Sequence, residues 1–366
     1  MSGKLIYLAA GGTGGHVFPA VAVAEMLAKD GWQVAFLTDR RGQQLLATAA
    51  TGLAVHQISA ASPLAGGMPR RLSALAKLAA GWVQSLLLML GKRPAFVLGF
   101  GGYPSAPPLL AASWLGIPAG LHEQNARIGR ANLFLARRCG HLLTSWPDSQ
   151  PLPDKTRIDE TGLPVRAAFF SQAEPAIAPD RLELLVIGGS LGAALFADLV
   201  PAAVALLEDG LRGRLSIVQQ VRAEQADSLK KRWQELGQSV ELASFFADLP
   251  ERMGRADLII CRAGAASVAE VAAAGRATIF VPFAAAMDDH QSANAASLVS
   301  DGGALSLPEN EASPQKLAEM MTQLLGDSAR RNNMAKQARA RARPQACRAI
   351  VEIIEARLAD SARRAA

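Results

Sequence analysis

Short apolar runs alternate with longer amphipathic segments along most of the chain. The first half contains the runs LIYLAA from Leu5, WQVAFLT from Trp32, AFVLGF from Ala95, IPAGLHEQ from Ile117 and HLLTSW from His141. The second half contains LELLVI from Leu182 and then RLSIVQQ, SVELAS, DLIIC and ATIFVP. Segments with helical charge spacing, such as AEQADSLKKRWQEL, lie between the runs. This alternation predicts an α/β protein with parallel sheets.

The chain begins each half in the same way. The segment LIYLAAGGTGGH from Leu5 resembles LELLVIGGSLGA from Leu182, and superposing them sets Thr13 over Ser190. Each segment is an apolar strand that runs into a glycine turn, followed by a helix-like stretch. The repeat predicts two Rossmann-like, doubly wound parallel-sheet domains that face a cleft.

Length and composition support two domains. The 366 residues exceed the size at which a single core stops growing. Residues 147–164 are rich in proline and charge and indicate a linker. We therefore predict an N-terminal domain over 1–163, a C-terminal domain over 164–340, and a helical tail over 341–366 that packs back on the N-terminal domain. The helix of the tail region should be interrupted near Pro344.

Charge and cysteine content narrow the function classes. Half of the residues are apolar and 19% are charged, as in a well-packed globular protein. The net charge of +6 is not accompanied by basic stretches interleaved with aromatics, so we expect no nucleic-acid partner; an anionic membrane or a phosphorylated ligand explains it equally well. The three cysteines are far apart and odd in number, which predicts a reducing cytoplasm and neither a disulfide framework nor a metal cage.

Glycine turns and polar loops follow several of the predicted strands. Ligands of open parallel sheets bind at the carboxyl ends of the strands, where main-chain amides approach phosphate. Neither glycine turn has the G-x-G-x-x-G spacing of a dinucleotide site, which disfavours a nicotinamide cofactor. Asp39 nevertheless stands where a dehydrogenase carries its ribose-binding acid, so that alternative stays open; tight strand–helix packing is the other explanation of a bare glycine turn.

Further loops lie at strand ends, and with the two turns they form the ordered set GGTGGHVFPA, GFGGYP, HEQN, GGSLGA, CRAGAASVAE and DDHQSANA. This set, spread over essentially the whole chain, resembles the MurG family of peptidoglycan N-acetylglucosaminyltransferases, which have the GT-B architecture. The resemblance implies inverting transfer of N-acetylglucosamine (GlcNAc) from UDP-GlcNAc to the lipid-linked acceptor undecaprenyl-pyrophosphoryl-MurNAc-pentapeptide (lipid I). It implies no cofactor and a peripheral location on the cytoplasmic face of the inner membrane. The implied partners are UDP-GlcNAc, lipid I, an anionic membrane surface and other proteins of cell-wall synthesis.

The resemblance also implies a substrate-binding set. Its members are Thr13, Gly14, Gly15, Asn125, Arg166, Ser190, Phe246, Ala265, Ala266, Ser267, Val268, Ala269, Glu270 and Gln291. Residues 265–270 would hold uracil and ribose, with Glu270 on the ribose hydroxyls, and Gln291 would contact the sugar. The sequence departs from the family at Leu163, Leu191, Ala263 and Ala266, where Asn, Gln and hydroxyl residues are usual.

An inverting transfer needs one base and a means to stabilise the departing diphosphate. We assign the base to His16, because an unperturbed imidazole titrates near ~6.5 and suits proton transfer at neutral pH. His16 ordering the glycine turn is an equal alternative, and Glu123 is a second candidate base. Ser190, the glycine amides and Arg166 would stabilise the leaving group. We expect no metal site, with Asp288 and Asp289 the acidic pair to check.

Three site assignments compete with purely structural roles. Ser267 and Glu270 have the spacing of a capping box, and a Glu270 that serves only the Ser267 amide at a helix start is the competing explanation. Gln291 and Asn294 are also compatible with ordinary first-turn positions. His56 and His141 have no motif around them and are assigned structural roles.

Residues 72–90 are apolar enough to raise the question of a membrane span. Lys77, Gly81, Gln84 and Leu88 share one helical face and Leu75, Ala79, Trp82 and Leu86 the other, which predicts an amphipathic helix on protein or bilayer. The basic residues that flank this helix would suit anionic headgroups; these residues are Arg70, Arg71, Lys92 and Arg93. Trp82 and Trp114 are further candidates for the membrane-facing patch. Core packing is the competing explanation.

Two other functions remain as rivals. A different GT-B enzyme, such as a diacylglycerol glycosyltransferase, would share the glycine turns and the membrane face, although the DDHQ and HEQN blocks argue against it. A noncatalytic nucleotide-sugar-binding or scaffold protein of the cell-wall machinery would not need His16 and complete donor loops.

Overall fold

Two parallel sheets, one in each of two units, organise the chain. The computed structural model describes residues 4–49, 52–63, 67–171, 181–188, 193–284, 286 and 289–365. One unit comprises Met1–Arg166 and Arg343–Ala366, and the other comprises Ala167–Ala342. The end of the chain therefore belongs to the same unit as its beginning.

The first unit contains a seven-stranded sheet in the order β3-β2-β1-β4-β5-β6-β7, with every pair parallel. Its strands are β1 (Leu5–Ala9), β2 (Gln33–Thr38), β3 (Ala54–Gln57), β4 (Phe96–Gly99), β5 (Ala119–Glu123), β6 (His141–Thr144) and β7 (Arg157–Glu160). Its helices are α1 (Gly14–Lys29), α2 (Arg40–Ala49), α3 (Met68–Gly91), α4 (Ala106–Trp114), α5 (Arg130–Cys139) and, from the end of the chain, α14 (Ala346–Ala365). The sheet order is that of a doubly wound Rossmann-like fold.

The C-terminal helix α14 is part of the core of this unit. Ile350, Val351 and Ile354 are fully buried in one hydrophobic cluster with residues of α1. At the rim, the guanidinium of Arg348 donates to Asp30 over 2.8 Å. Burial of these aliphatic side chains holds the tail in place, and the surface ion pair adds little.

The second unit repeats the arrangement with a six-stranded parallel sheet in the order β10-β9-β8-β11-β12-β13. The strands are β8 (Leu182–Ile187), β9 (Leu215–Gln220), β10 (Val240–Ala243), β11 (Leu258–Cys261), β12 (Thr278–Phe280) and β13 (Leu305–Ser306). The helices are α6 (Ala193–Val204), α7 (Asp209–Arg212), α8 (Ala226–Glu235), α9 (Leu249–Arg255), α10 (Ala265–Ala274), α11 (His290–Val299), α12 (Pro314–Leu325) and α13 (Ser328–Ala340). Trp233 and Phe196 are fully buried in its core.

The predicted α/β class and the two parallel sheets are confirmed. The repeated starts become β1 and β8, and each lies centrally in its sheet between two parallel neighbours. The break near Pro344 falls between α13 and α14. The interpretation of residues 147–164 as a linker needs correction, because Arg157–Glu160 forms β7 and pairs with β6.

Helix α3 differs from its predicted faces. The buried face consists of small residues and one methionine: Ala74, Gly81, Ser85 and Met89. Gly81 belongs to it because a Cβ there would lie 2.0 Å from the carbonyl oxygen of Ser59. The larger aliphatic residues face outward instead: Leu72, Leu75, Val83, Leu87 and Leu90. Gly81 and Gln84 do share a face, because Oε1 of Gln84 accepts from the N–H of Ser59 over 2.8 Å. Close approach of the backbone, rather than hydrophobicity, selects this face for packing.

Within the described residues, α3 is the one helix long and apolar enough to cross a membrane by length and composition. Only 22% of its most apolar window is buried, so it is not an ordinary core helix. One such helix is weak support for a membrane span.

Candidate active site

The first glycine turn joins β1 to α1 and is braced by Asp39. Gly12 has a φ of +82°, which favours glycine. Its N–H donates to Oδ1 of Asp39 over 3.2 Å, and the N–H of Gly42 donates to the same oxygen over 2.9 Å. Asp39 thus serves the backbone of two loops, a different task from the ribose contact of a dehydrogenase.

His16 lies in the first turn of α1, directly after this glycine turn. Thr13 is the N-cap residue of the helix, and its carbonyl oxygen accepts from the N–H of His16 over 3.2 Å. The half-buried imidazole of His16 places Nδ1 2.8 Å from Oε1 of Gln124. Gly14 begins the helix, where a Cβ would lie 2.8 Å from the ring of Phe18.

The loop GFGGYPS packs against the His16 ring. Gly101 and Gly102 have φ values of +80° and +73°. Cβ atoms at these positions would lie 3.4 Å and 3.3 Å from atoms of the imidazole. Oγ of Ser105 lies 2.6 Å from the carbonyl oxygens of both Ala9 and Gly101, which share its one proton, and this ties the loop to the end of β1.

Glu123, the second candidate base, has its carboxylate occupied by neighbouring donors. Oε1 accepts from the main-chain N–H of Asn125 over 2.9 Å and from its Nδ2 over 3.1 Å. Oε2 accepts from Nδ2 of Asn132 over 2.7 Å and from the N–H of Gly129 over 3.4 Å. Glu123 is only 1% exposed. This environment suits a residue that shapes the loop after β5, and it favours His16 as the base.

Arg166 is the last residue of the N-terminal segment of the first unit. Its guanidinium carbon lies 5.8 Å from the ring centroid of Phe18, which is on α1 two residues after His16. The contact brings a permanent positive charge to the same helix turn as the glycines.

In the second unit, α10 begins directly after β11. Its N-cap is Gly264, so Ser267 lies inside the first turn rather than at the cap. The capping-box explanation of Ser267 and Glu270 was therefore wrong. Glu270 is half-buried in the second turn of the helix. Its charge contributes, after burial, to raising the pKa of the Cys261 thiol, which places it near the end of β11.

An arginine that sequence reasoning did not single out organises the loop after β12. Nη1 of Arg262 donates to the carbonyl oxygen of Val281 and to Oε2 of Glu309, both at 3.0 Å. The same Glu309 oxygen accepts from the N–H of Ala284 over 3.2 Å. The guanidinium also lies 5.3 Å from the ring centroid of Phe283. The CRAG segment carries this residue, but its partner lies 47 positions away and leaves no local signal.

Gln291 and Asn294 both connect α11 to strand-end loops. Oε1 of Gln291 accepts from the N–H of Phe283 over 3.0 Å. Nδ2 of fully buried Asn294 donates to the carbonyl oxygen of Ala263 over 3.2 Å. Asn294 thus holds the loop before α10, and Gln291 holds the loop before α11.

Phe246 is 7% exposed and packs under the guanidinium of Arg252, whose central carbon lies 4.5 Å from the ring centroid. Arg252 also pairs with Glu241 and Asp248, and these two carboxylates raise its pKa. Adjacent Phe245 is 69% exposed.

Ser190 and Asp288 lie outside the described residues. Among the residues that are described, no group of three or more His, Cys, Asp and Glu side chains could hold a metal ion.

Comparisons with known proteins agree with this layout. The model of the glycosyltransferase family 28 N-terminal domain matches residues 6–144, and that of the C-terminal domain matches residues 183–349. A relative from Rhodospirillum centenum is 44% identical over 97% of this chain and 94% of its own length. It is named UDP-N-acetylglucosamine–N-acetylmuramyl-(pentapeptide) pyrophosphoryl-undecaprenol N-acetylglucosamine transferase. The chain belongs to the MurG family.

Two further proteins support membership of the MurG family. A relative from Brucella canis with the same name is 43% identical over 96% of this chain and 94% of its own length. The crystal structure of MurG from Acinetobacter baumannii is 32% identical and superposes with a TM-score of 0.79, covering 96% of this chain and 99% of that one. The GT-B glycosyltransferase fold predicted from the ordered motifs is thereby confirmed.

Proposed function

We propose that this chain transfers GlcNAc from UDP-GlcNAc to undecaprenyl-pyrophosphoryl-MurNAc-pentapeptide, with inversion at the anomeric carbon. The observation that carries the proposal is the 44% identity over 97% of the chain to a relative named for this transfer. The hydrogen-bonded His16 beside a glycine loop supplies a base in the first unit.

His16 is the general base of the proposed reaction. Its Nε2 takes the proton of the acceptor hydroxyl as the oxygen bonds to the anomeric carbon, and the bond from that carbon to the diphosphate oxygen breaks. UDP leaves with the electron pair of that bond. A single displacement of this kind inverts the configuration and needs no carboxylate nucleophile from the protein.

The donor is contacted by residues of the glycine-containing segments and of the loops beside them. In the second unit, the first turns of α10 (Ala265, Ala266, Ser267, Val268, Ala269 and Glu270) contact uracil and ribose, Glu270 accepts from the ribose hydroxyls, and Phe246 and Gln291 contact the nucleotide sugar. In the first unit, Thr13, Gly14, Gly15, Asn125 and Arg166 contribute. Ser190, from the C-terminal half of the sequence, belongs to the same donor-binding set. Helix N-termini and the Arg166 guanidinium stabilise the developing diphosphate charge, which is the task that a metal performs in other transferases.

The chain also binds an anionic membrane surface through one side of the first unit. The outward aliphatic face of α3 continues into Trp114, which is 73% exposed. Trp114 packs edge-on against Trp82, with the two ring centroids 5.4 Å apart. Arg70, Arg71, Lys92 and Arg93 are all exposed at the two ends of α3. An apolar patch rimmed by cations suits the interface of an anionic bilayer, where a lipid-linked acceptor resides.

This surface implies a peripheral protein on the cytoplasmic face of the inner membrane. There the enzyme would work beside other proteins of cell-wall synthesis and contribute to cell shape and division.

The transfer is tested with labelled UDP-GlcNAc and a lipid I analogue, followed by extraction of the lipid product. We expect label in the lipid fraction, and much less with UDP-GalNAc as donor or diacylglycerol as acceptor. Preference for diacylglycerol would assign the chain to another GT-B activity. Binding of UDP-GlcNAc without transfer to either acceptor would indicate a noncatalytic protein.

A further inference from the structure

We propose that Gln124, held in one orientation by His122 and through it by the main chain at Gly162, fixes His16 with its proton on Nδ1 and its lone pair on Nε2. The inference rests on the proposed function in taking His16 as the base. Gln124 is then a positioning residue, which acts on the substrate only through His16. The residues that form this series of hydrogen bonds all belong to the first unit.

The series of hydrogen bonds begins at the carbonyl oxygen of Gly162, which lies 3.0 Å from Nε2 of His122. A carbonyl oxygen can only accept, so Nε2 of His122 carries a proton. Burial of this ring lowers its pKa to about 4, against the smaller opposing effect of the Gly162 hydrogen bond. At neutral pH the ring is therefore uncharged and its Nδ1 is an acceptor.

The second link is the amide of Gln124, which is 1% exposed. Its Nε2 lies 3.1 Å from Nδ1 of His122 and 3.0 Å from the carbonyl oxygen of the same residue. Both partners are acceptors, so the amide nitrogen must face them with its two N–H groups. The orientation of the amide is thus determined twice, once by the His122 ring and once by its main chain. Oε1 consequently points to His16.

The third link is the 2.8 Å contact between Oε1 of Gln124 and Nδ1 of His16. Because an amide oxygen can only accept, Nδ1 of His16 carries the proton and Nε2 carries the lone pair in the neutral ring. Free histidine prefers the opposite tautomer, with the proton on Nε2. The protein therefore selects the less favoured form, and that form is the one a base at Nε2 requires.

Nε2 of His16 lies beside a glycine, which presents no side chain to it. This atom faces Gly102, where a Cβ would lie 3.6 Å from Nε2 and 3.3 Å from Cδ2. The main chain of Gln124 is anchored separately, because Nε1 of Trp146 donates to its carbonyl oxygen over 2.9 Å. Replacing the Gln124 side chain should therefore change the hydrogen bond to His16 without releasing the loop.

The tautomer can be read directly by nitrogen NMR of protein labelled with ¹⁵N-histidine, with no substrate present. Loss of one signal set in His16→Gln identifies His16 among the five histidines. We expect wild-type His16 to be protonated on Nδ1. Gln124→Met removes the acceptor and should move the proton to Nε2. Gln124→Glu restores an acceptor for His16 when the buried carboxyl group is protonated on the oxygen that faces His122, and it should return the proton to Nδ1. His16 protonated on Nε2 in the wild type would overturn the inference.

Kinetics supply a second readout. Gln124→Met should lower kcat about tenfold, the effect of one hydrogen bond of this type, and leave the KM for UDP-GlcNAc nearly unchanged. Gln124→Glu should recover much of kcat. The matched control is Gln219→Met, which removes another fully buried amide, one that accepts from Trp233 on the second unit. That change should cost stability and leave both kcat and the His16 tautomer as they are.

Failure of the inference and failure of the proposed function give different results. An active wild-type enzyme with the proton on Nε2 of His16, or an unchanged kcat in Gln124→Met, refutes the positioning role alone. An inactive wild-type protein with His16 protonated on Nδ1 refutes the transferase function and leaves the hydrogen-bond assignment standing.

Discussion

Nδ2 of Asn132 donates to Oε2 of Glu123 over 2.7 Å, which ties the first turn of α5 to the end of β5. Asn132→Asp would replace this donor with a carboxylate beside a buried carboxylate. We expect the free energy of unfolding at pH 7 to fall by about 3 kcal/mol, as for an uncompensated buried charge. Urea denaturation at pH 7 and pH 5 checks this, because sharing a proton between the two carboxyl groups should relieve part of the loss in acid.

The control for this prediction is Asn132→Ala, which removes the donor without adding charge. It should cost about 1 to 2 kcal/mol, with no relief in acid. Equal losses for the Asp and Ala variants at both pH values would show that charge repulsion plays no part.

His122 should make the protein sensitive to acid. The unfolded chain takes up this proton near the ordinary value of 6.5, while burial lowers the pKa of the folded ring to about 4. The unfolded state therefore binds more protons between these values, and stability is lost as the pH falls from 6.5 to 4 and not further below it. The difference corresponds to about 3 kcal/mol. His122→Gln, which keeps a donor for Gly162, should show a flatter dependence of unfolding free energy on pH, and an identical slope would contradict the assignment.

The architecture could be predicted from sequence because its strongest determinants are local. Strand β8, for example, has five apolar residues among its six, and two glycines follow it in the sequence. The missed strands β3 and β7 are four-residue edge strands that are only half-buried, so their sequences carry little apolar signal. Strand β13 has only two residues.

The site was predictable in its loops but not in its contacts. The HEQN block was identified, yet the bond from Gln124 to His16 spans 108 positions and depends on the fold. The Ser267 cap failed because Gly264, with extended φ and ψ, starts the helix three residues earlier. The packing face of α3 was missed because Gly81 is buried for lack of a side chain, which a hydrophobicity pattern does not register.

Gly162→Ala should destabilise the first unit. Gly162 has a φ of +80°, and a Cβ there would lie 2.4 Å from Cβ of Arg343. We expect a loss of about 1 to 3 kcal/mol in unfolding free energy, from backbone strain and from displacement of the Arg343 side chain. Adding Arg343→Gly, which removes both the Cβ and the Cγ that the new methyl group meets, should recover only the steric part. Gly91→Ala is the control, since a Cβ at the end of α3 meets nothing within 4 Å and should be neutral or slightly stabilising.

Charge reversal at Arg70 and Arg71 tests the membrane surface. A basic residue near an anionic bilayer contributes about 1 kcal/mol, so reversing both charges should weaken binding to anionic liposomes at least ~10-fold. Reversal of Lys230 and Lys231, an exposed pair on α8 of the second unit, is the matched control and should have little effect. Equal losses for both pairs would indicate general attraction of a basic protein, and unchanged binding in the Arg70 and Arg71 variant would exclude this surface.

The most direct test of the proposed mechanism compares wild type with His16→Ala in transfer of label from saturating UDP-GlcNAc to a lipid I analogue, with donor affinity measured in parallel. Removal of a general base predicts a loss of about 10²- to 10⁴-fold in turnover. Affinity for UDP-GlcNAc should change little, because His16 acts on the acceptor. Turnover equal to that of the wild type would contradict the assigned mechanism.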